Sequence, residues 1–146
     1  MSKGVKLLEK VIVTSGKRKT AIARAVITPG NGRYRINGLV AEFYAPNELA
    51  RIKILEPIIL AKGIVPIDSV DIDVKVSGGG FMGQANAIRT AVSKGLVEYF
   101  QSEQLRKIYE EYDPWMLKDD PRRTLPHHGP TRSHRGPRAR RQTSYR

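Results

Sequence analysis

The sequence contains no cysteine, and aromatic residues make up only 7% of its 146 residues. Without cysteine, a disulfide framework and a thiolate zinc site are both excluded, and a reducing compartment is favoured. No segment approaches the roughly 20 apolar residues that a membrane-spanning helix needs. Residues 1–10 also lack the apolar run and the cleavage site of a signal peptide. These absences predict a soluble protein of the cell interior with no membrane partner.

Histidine is absent from the first 126 residues and occurs only at His127, His128 and His134. Nucleophilic catalysis usually pairs a nucleophile with a nearby base, so a chain with neither cysteine nor histidine in its body is a poor candidate for it. The three histidines would need an ordered scaffold and a carboxylate or thiolate companion to bind a metal, and their segment offers neither. We expect no catalytic residue, no metal site and no cofactor.

Acidic residues and lysine are absent from residues 121–146, where eight arginines and four prolines stand instead. With so little apolar surface, this segment cannot by itself offset an ordering cost of roughly 1–2 kcal/mol per residue. It supplies 8 of the net charge of +12. We therefore predict a globular domain over residues 1–120 and an extended, arginine-rich tail over residues 121–146 that lies against an anionic partner.

Alternating apolar residues predict the strands of the globular domain. Residues 11–14 and 20–28 form the first two strands, and a proline- and glycine-rich reversal at residues 29–32 leads into a third at residues 33–36. These three strands are expected to form an antiparallel meander. A fourth, half-buried strand is predicted at residues 68–77, where apolar and polar residues alternate strictly.

Helical spacing fills the remainder of the domain. Residues 39–44 suit one helical turn, and Asn47 is a plausible N-cap for a helix that Pro57 is expected to divide into two pieces. Amphipathic patterns predict two further helices at residues 84–101 and 102–112. The elements together predict an α+β fold, a sandwich of sheet and helices.

Two stretches carry candidate binding chemistry. Lys17, Arg18 and Lys19 place three cations in one turn, which is either a solvated hairpin tip or an anion contact. The glycine run Gly78–Gly80 lies between a strand and a helix, so bare backbone N–H groups at the positive helix end are available to phosphate oxygens. The alternative for this run is a tight turn that needs positive φ. No lysine follows it as in a Walker loop, so nucleotide hydrolysis is poorly supported.

Arginine in the tail favours RNA as the anionic partner. Its planar guanidinium binds phosphate through two parallel hydrogen bonds and stacks on bases. An extended segment of this length spans roughly 80–90 Å, enough to enter a large RNA structure. A membrane surface is the main rival for a basic tail, but this tail lacks the bulky apolar residues of an anchor. A DNA-binding arm is also possible, although the domain has no helix-turn-helix, finger or basic zipper pattern.

The glycine run and the residues after it resemble the signature of the universal small-subunit ribosomal protein S-nine family. The signature is three glycines, two free positions, a small residue and glutamine, then small residues at intervals and a basic residue ahead of leucine. Here it reads Gly78-Gly79-Gly80-Phe81-Met82-Gly83-Gln84, then Ala87, Ala91, Ser93, Lys94, Gly95 and Leu96. The basic turn of residues 16–24, the strand end Ile36-Asn37-Gly38 and the closing Ser144-Tyr145-Arg146 match as well, and this ending resembles the archaeal and eukaryotic branch.

The resemblance covers residues 10–146. It implies an α+β fold shared with the second domain of ribosomal protein S-five, a non-enzymatic role, and a place in the head of the small subunit of cytoplasmic ribosomes. The implied partners are small-subunit rRNA, P-site tRNA and neighbouring head proteins, with no small-molecule substrate.

The tail tip, Tyr145 and Arg146, matches the family positions that approach P-site tRNA. The expected rRNA-binding residues are Lys17, Arg18, Lys19, Arg24, Gly78, Gly79, Gly80, Gln84, Arg89, Arg122, Arg123, Arg132, Arg135, Arg138, Arg140 and Arg141. Two alternatives remain: an enzyme that uses a nucleotide on the glycine loop, and a non-ribosomal nucleic-acid-binding protein.

Overall fold

Five strands form one mixed sheet in the computed structural model, which describes residues 10–126. The strands are β1 (Ile12–Arg18), β2 (Ala21–Pro29), β3 (Tyr34–Ile36), β4 (Leu39–Val40) and β5 (Val70–Ser77). They lie in the order β1-β2-β5-β3-β4. β3 runs parallel to β5, and the other neighbours are antiparallel. The predicted α+β class is confirmed, with a mixed sheet.

Four α-helices accompany the sheet within the described residues. They are α1 (Ala41–Tyr44), α2 (Glu48–Ala61), α3 (Phe81–Phe100) and α4 (Glu103–Tyr112), with short 3₁₀ turns at Ile67–Ser69 and Pro114–Met116. Asn47 caps α2 as predicted, since its side chain accepts a hydrogen bond from the backbone N–H of Leu49 at 3.0 Å. Ser102 caps α4 in the same way. No helix among residues 10–126 is both long enough and apolar enough to cross a membrane.

The prediction of a three-stranded antiparallel meander is wrong in its third strand. The β1–β2 hairpin is present, but β5 pairs with β2 and separates it from β3. The carboxylate of Asp71, on β5, accepts hydrogen bonds from the backbone N–H groups of Asn31 and Arg33 at 2.9 and 3.0 Å, which guides the chain around β5. The bond from Arg33, followed by that from Asn31, lowers the pKa of Asp71. The alternation in β5 predicted a half-buried strand but contains no information about its neighbours.

The predicted division of the helix at Pro57 is also wrong, because residues 48–61 form one helix. Proline removes one backbone donor and crowds the preceding turn, at a cost of about 3 kcal/mol in an exposed helix. Pro57 is buried, and its carbonyl accepts a hydrogen bond from the Tyr109 hydroxyl of α4 at 2.7 Å. Burial raises the pKa of Tyr109, so this hydroxyl stays protonated and donates. Tertiary packing against α4 therefore keeps α2 continuous.

Small residues allow α3 to lie close against β1 and β2. Ala21, Ala23 and Ala25 of β2 are fully buried beneath it. A Cβ atom at Gly16 of β1 would lie only 2.2 Å from the carbonyl oxygen of Ala87 on α3. This close contact fixes the end of the β1–β2 hairpin against the first half of α3. No helix among residues 10–126 covers the opposite face of the sheet, which we call the open face, and Val13 on it is 63% exposed.

Candidate nucleic-acid interface

Three separate stretches of the chain meet at one corner of the domain. The β1–β2 turn brings Lys17, Arg18 and Lys19 there, the loop Gly78–Gly80 joins β5 to α3 beside it, and residues 120–122 lie next to the turn. We call this set the basic corner. The two stretches that the sequence singled out for binding chemistry are therefore neighbours in space.

Two glycines of the loop are required by geometry. Gly78 and Gly79 have φ of +77° and +64°, a region that favours glycine. A Cβ atom at Gly78 would lie 2.4 Å from the carbonyl oxygen of Thr20, and one at Gly79 would lie 3.0 Å from Cβ of Ala21. The tight-turn interpretation therefore explains both residues, since the loop must pass directly over the hairpin end.

Gly80 has a different environment. Its φ is −99°, and a Cβ atom there would contact nothing within 4 Å. It is the N-cap of α3 and provides no side-chain cap to the first N–H groups of the helix, and it lines the same cleft as Lys19. The positive end of a 20-residue helix and an adjacent cation both attract a phosphate oxygen at this point.

A cleft of about 330 Å³ separates the turn from the loop. Arg18, Lys19 and Thr20 form one wall, and residues 79–83 with Asn86 form the other. None of the residues that line it is acidic. A smaller polar pocket of about 190 Å³ lies next to it, and the two share Arg18 and Asn86.

Asp120 holds the chain around Arg122 against the cationic turn. Its carboxylate accepts hydrogen bonds from Nε of Arg122 at 2.9 Å and lies 3.6 Å from Nε of Arg18. Nη1 of Arg18 also donates to the carbonyl oxygen of Arg122 at 2.7 Å. The guanidinium of Arg122 lies 5.8 Å from the ring centre of Trp115, within cation–π range. The start of the basic segment is therefore held beside the cationic turn.

The attachment of Asp120 is expected to survive mild acid. Hydrogen bonds from the Arg122 side chain lower the pKa of Asp120 to about 2. A depressed pKa means that the ion pairs stabilise the fold above the ordinary carboxyl range and are lost as the pH falls toward 2. We expect fluorescence from Trp115, the only tryptophan, to stay constant from pH 8 to pH 5 and to change only near the Asp120 pKa. Circular dichroism recorded in parallel separates this step from unfolding, and a fluorescence change centred above pH 4 in folded protein would contradict it.

Gln84 and Arg24, two further residues predicted to bind rRNA, lie outside the basic corner. The Gln84 side chain donates to the carbonyl oxygen of Gly78 at 3.0 Å and accepts from the Tyr44 hydroxyl at 2.8 Å. It therefore holds the glycine loop, and both its polar atoms have protein partners.

Arg24 is exposed on the open face of the sheet, directly opposite Lys75 in the register of β2 and β5. Two like charges at paired positions repel each other, which an anion over this face would relieve.

Arg89 is almost completely buried, and its guanidinium is paired with two carboxylates. Its Nη1 is 2.9 Å from the carboxylate of Glu56, and its Nη2 is 2.8 Å from that of Asp113. The side chain is only 7% exposed, and its Nε–H has no acceptor among residues 10–126. The expectation that Arg89 binds rRNA directly is therefore withdrawn in favour of a structural role that joins α2, α3 and the end of α4.

Sequence reasoning missed Lys53 and Asn86, which line the polar pocket. Lys53 belongs to α2 and reaches the corner only through the packing of α2 on α3, which no local pattern shows. Arg122 and Arg123 are described and exposed. The other predicted tail contacts, the three histidines and the tip residues Tyr145 and Arg146 lie outside the described residues. Within residues 10–126 no group of three or more His, Cys, Asp or Glu side chains is arranged to hold a metal.

Comparison with known proteins identifies the family. The model of the family described as "Ribosomal protein S9/S16" matches residues 16–146. A protein of Pyrobaculum aerophilum named "Small ribosomal subunit protein uS9" is 55% identical over 137 residues, which is 94% of this chain and 92% of that one. A protein of the same name from Desulfurococcus amylolyticus is 52% identical over 117 residues, covering 80% and 81% of the two chains. The family consists of ribosomal proteins, so the prediction of a non-enzymatic protein is confirmed. The match to the glycine signature, the basic turn and nearly the whole chain shows that this protein belongs to the ribosomal protein S9 family.

Proposed function

We propose that this chain is a structural constituent of the small ribosomal subunit that binds rRNA through its basic corner and its arginine-rich C-terminal segment. The observation that carries the proposal is the convergence of the cationic turn, the glycine loop and the start of the basic segment at one corner. The names of the two archaeal relatives support the small subunit as the location. Membership of a ribosomal protein family disfavours the nucleotide-using enzyme, and the cleft lacks the carboxylates that would hold a nucleotide's metal ion.

The chemistry of the corner suits an RNA backbone. Lys17 and Lys19 are exposed, and Lys19 adjoins the open N-terminus of α3 at Gly80. Each phosphate that such a cation neutralises releases counterions, which makes the binding dependent on salt. Contacts of this kind fix the orientation of a protein on a folded RNA without reading its sequence.

The open face of the sheet is a second part of the proposed interface. Arg24 and Lys75 are exposed there beside Ile22, which is 43% exposed. A phosphate placed between Arg24 and Lys75 would convert their mutual repulsion into attraction to one anion.

The segment after Asp120 forms the remaining part of the proposal. Arginine-rich chain tethered at the basic corner binds RNA at a high effective concentration once the domain has docked, which offsets part of its ordering cost. We propose that its arginines neutralise rRNA phosphates and that Tyr145 and Arg146 approach P-site tRNA in the head of the subunit. Domain and segment then act in sequence, the first docking and the second ordering.

The corner is tested by replacing Lys17 and Lys19 together with glutamine. Both side chains are exposed, so folding is expected to be unaffected. The loss of two phosphate contacts is expected to make the negative slope of log K against log salt shallower by about 1.4. Filter binding to small-subunit rRNA of Pyrobaculum aerophilum across a salt series measures this slope. The matched control replaces Lys62 and Lys107, which are also exposed but line neither the cleft nor the polar pocket. Equal slopes for the two double variants would contradict the proposed interface.

The tip is tested by removing Ala139–Arg146. Subunits reconstituted with the truncated chain are expected to contain it in normal amounts and to bind P-site tRNA more weakly. Truncated subunits with unchanged tRNA affinity would refute the tRNA contact while leaving the rRNA proposal standing.

A further inference from the structure

We infer that the polar pocket beside the cleft is a specific site for one phosphate group, supplied by the RNA backbone. The inference rests on the proposed function and adds to it a single anchoring point. The pocket lies between α2, α3 and the chain that leaves the domain, and it has a volume of about 190 Å³. One water molecule needs only about 10–15 Å³ on the same measure, so the space admits a group much larger than water.

The charges around the pocket do not balance. Five cationic side chains line it, namely Lys17, Arg18, Lys53, Arg89 and Arg122. The acids in its lining are Asp113 and Asp120. Glu56 does not line the pocket, but it pairs with Arg89. Three acids against five cations leave a local charge of +2, which an anion in the pocket would neutralise.

The acids of the pocket are already engaged. Asp113 accepts from Nη2 of Arg89 at 2.8 Å and from the backbone N–H of Trp115 at 2.9 Å. Asp120 is held by Arg122 and Arg18. No carboxylate among residues 10–126 lies within ion-pair distance of the ammonium groups of Lys17 or Lys53. The two lysines therefore remain available to an incoming anion.

Lys53 is the most informative of these residues because it is half-buried and still unpaired within the described chain. An anion in the pocket would give this ammonium group a charged hydrogen-bond partner. The guanidinium of Arg18 and the side chain of Asn86 line the same pocket. The Thr90 hydroxyl also lines it but donates to the backbone carbonyl oxygens of Asn86 and Trp115. Phosphate presents several acceptor oxygens to such a set of donors.

The pocket also suits a backbone phosphate because it continues into the larger cleft. Arg18 and Asn86 belong to the walls of both spaces. One strand can therefore place a phosphate in the pocket and its neighbours along the cleft toward Gly80 and Lys19. Free inorganic phosphate has the same chemistry and would occupy the pocket alone.

Trp115 lines the pocket and is the only tryptophan in the chain, so its fluorescence reports binding directly. The full-length protein is titrated with inorganic phosphate and, separately, with the rRNA of Pyrobaculum aerophilum. We expect saturable changes with both probes. Lys53→Gln should raise both dissociation constants at least about fivefold, since charge-assisted hydrogen bonds are the strong ones. Lys53→Arg should largely restore binding, and Lys62→Gln, at the end of the same helix, should change neither.

The outcomes separate the possibilities. Weakened binding of both probes in Lys53→Gln supports the backbone-phosphate site, whereas weakened binding of inorganic phosphate alone overturns the RNA source and leaves a free-phosphate site. Tight rRNA binding by the wild type with no Trp115 response, and with Lys53→Gln unaffected, overturns the pocket while the proposed function stands. Failure of the wild-type chain to bind rRNA at all refutes the proposed function instead. Thermal unfolding of each variant establishes that a lost signal is not lost folding.

Discussion

Replacement of Arg89 by methionine is expected to destabilise the folded protein by about 3 kcal/mol, at the lower end of the range measured when one partner of a buried ion pair is removed. Methionine fills a similar volume but leaves Glu56 and Asp113 without their shared cation. The side chains of Glu56 and Asp113 are 15% and 26% exposed, so water reaches them in part and limits the loss. Denaturant unfolding measures the change in the free energy of unfolding. A second consequence is that α2 and the end of α4 lose their common link to α3.

The control for this prediction is Arg106→Met on α4. Arg106 pairs with Glu110 at 3.4 Å, and both side chains are more than half exposed. An exposed pair one helical turn apart contributes only about 0.3–0.5 kcal/mol. If Arg89→Met were as mild as Arg106→Met, the buried network would not be a principal connection between the helices.

Replacement of Gly16 by alanine is expected to cost about 3 kcal/mol, at the upper end for overpacking a well-packed core. The added methyl group would lie 2.2 Å from the carbonyl oxygen of Ala87 and 2.7 Å from the backbone nitrogen of Ala91. Both atoms belong to the backbone of α3, so no side-chain rotation relieves the overlap and β1 must move away from the helix. Thermal unfolding is the measurement, with the free energies compared at one temperature.

Gly80→Ala is the matched control, because a methyl group there meets nothing within 4 Å and φ is −99°. It should change stability by no more than about 1 kcal/mol, because alanine is a poorer N-cap than glycine. Similar losses in the two variants would mean that the hairpin does not depend on its close contact with α3. Because Gly80 belongs to the proposed interface, the same variant also shows whether extra bulk at the helix N-terminus weakens rRNA binding without affecting the fold.

The structure changes the meaning of the family signature. Gly78 and Gly79 carry the loop over the hairpin end, Ala87 and Ala91 face Gly16, and Gln84 holds the loop. Most of these positions therefore serve packing, and the signature identifies a family more directly than it identifies a binding site. Gly80 is the exception, with open space on its exposed side.

Local features were predictable from the sequence because their causes are local. Asn47 caps a helix through a residue two positions away, and the alternation in β5 follows from one buried face. The neighbours of β5 were not predictable, since they depend on contacts with segments far along the chain. Arg89 shows the same limit for the site: its partners are 33 and 24 residues distant and leave no mark in the spacing. From the sequence alone, an isolated arginine in an amphipathic helix is equally compatible with an RNA contact and with membership of a buried ion pair.

The position of β5 between β2 and β3 has a consequence for synthesis of the protein. The hairpin of β1 and β2 is complete once residue 29 has emerged, but the backbone groups on the outer edge of β2 find their partners only when residues 70–77 follow. During that interval the nascent chain exposes an unpaired strand edge next to an alanine-rich surface that α3 later covers. The sheet is therefore completed only when β5, the last of its five strands to be synthesised, has paired with its neighbours. Pairing of this central strand, rather than formation of the hairpin, is the step that removes the exposed strand edge from the nascent chain.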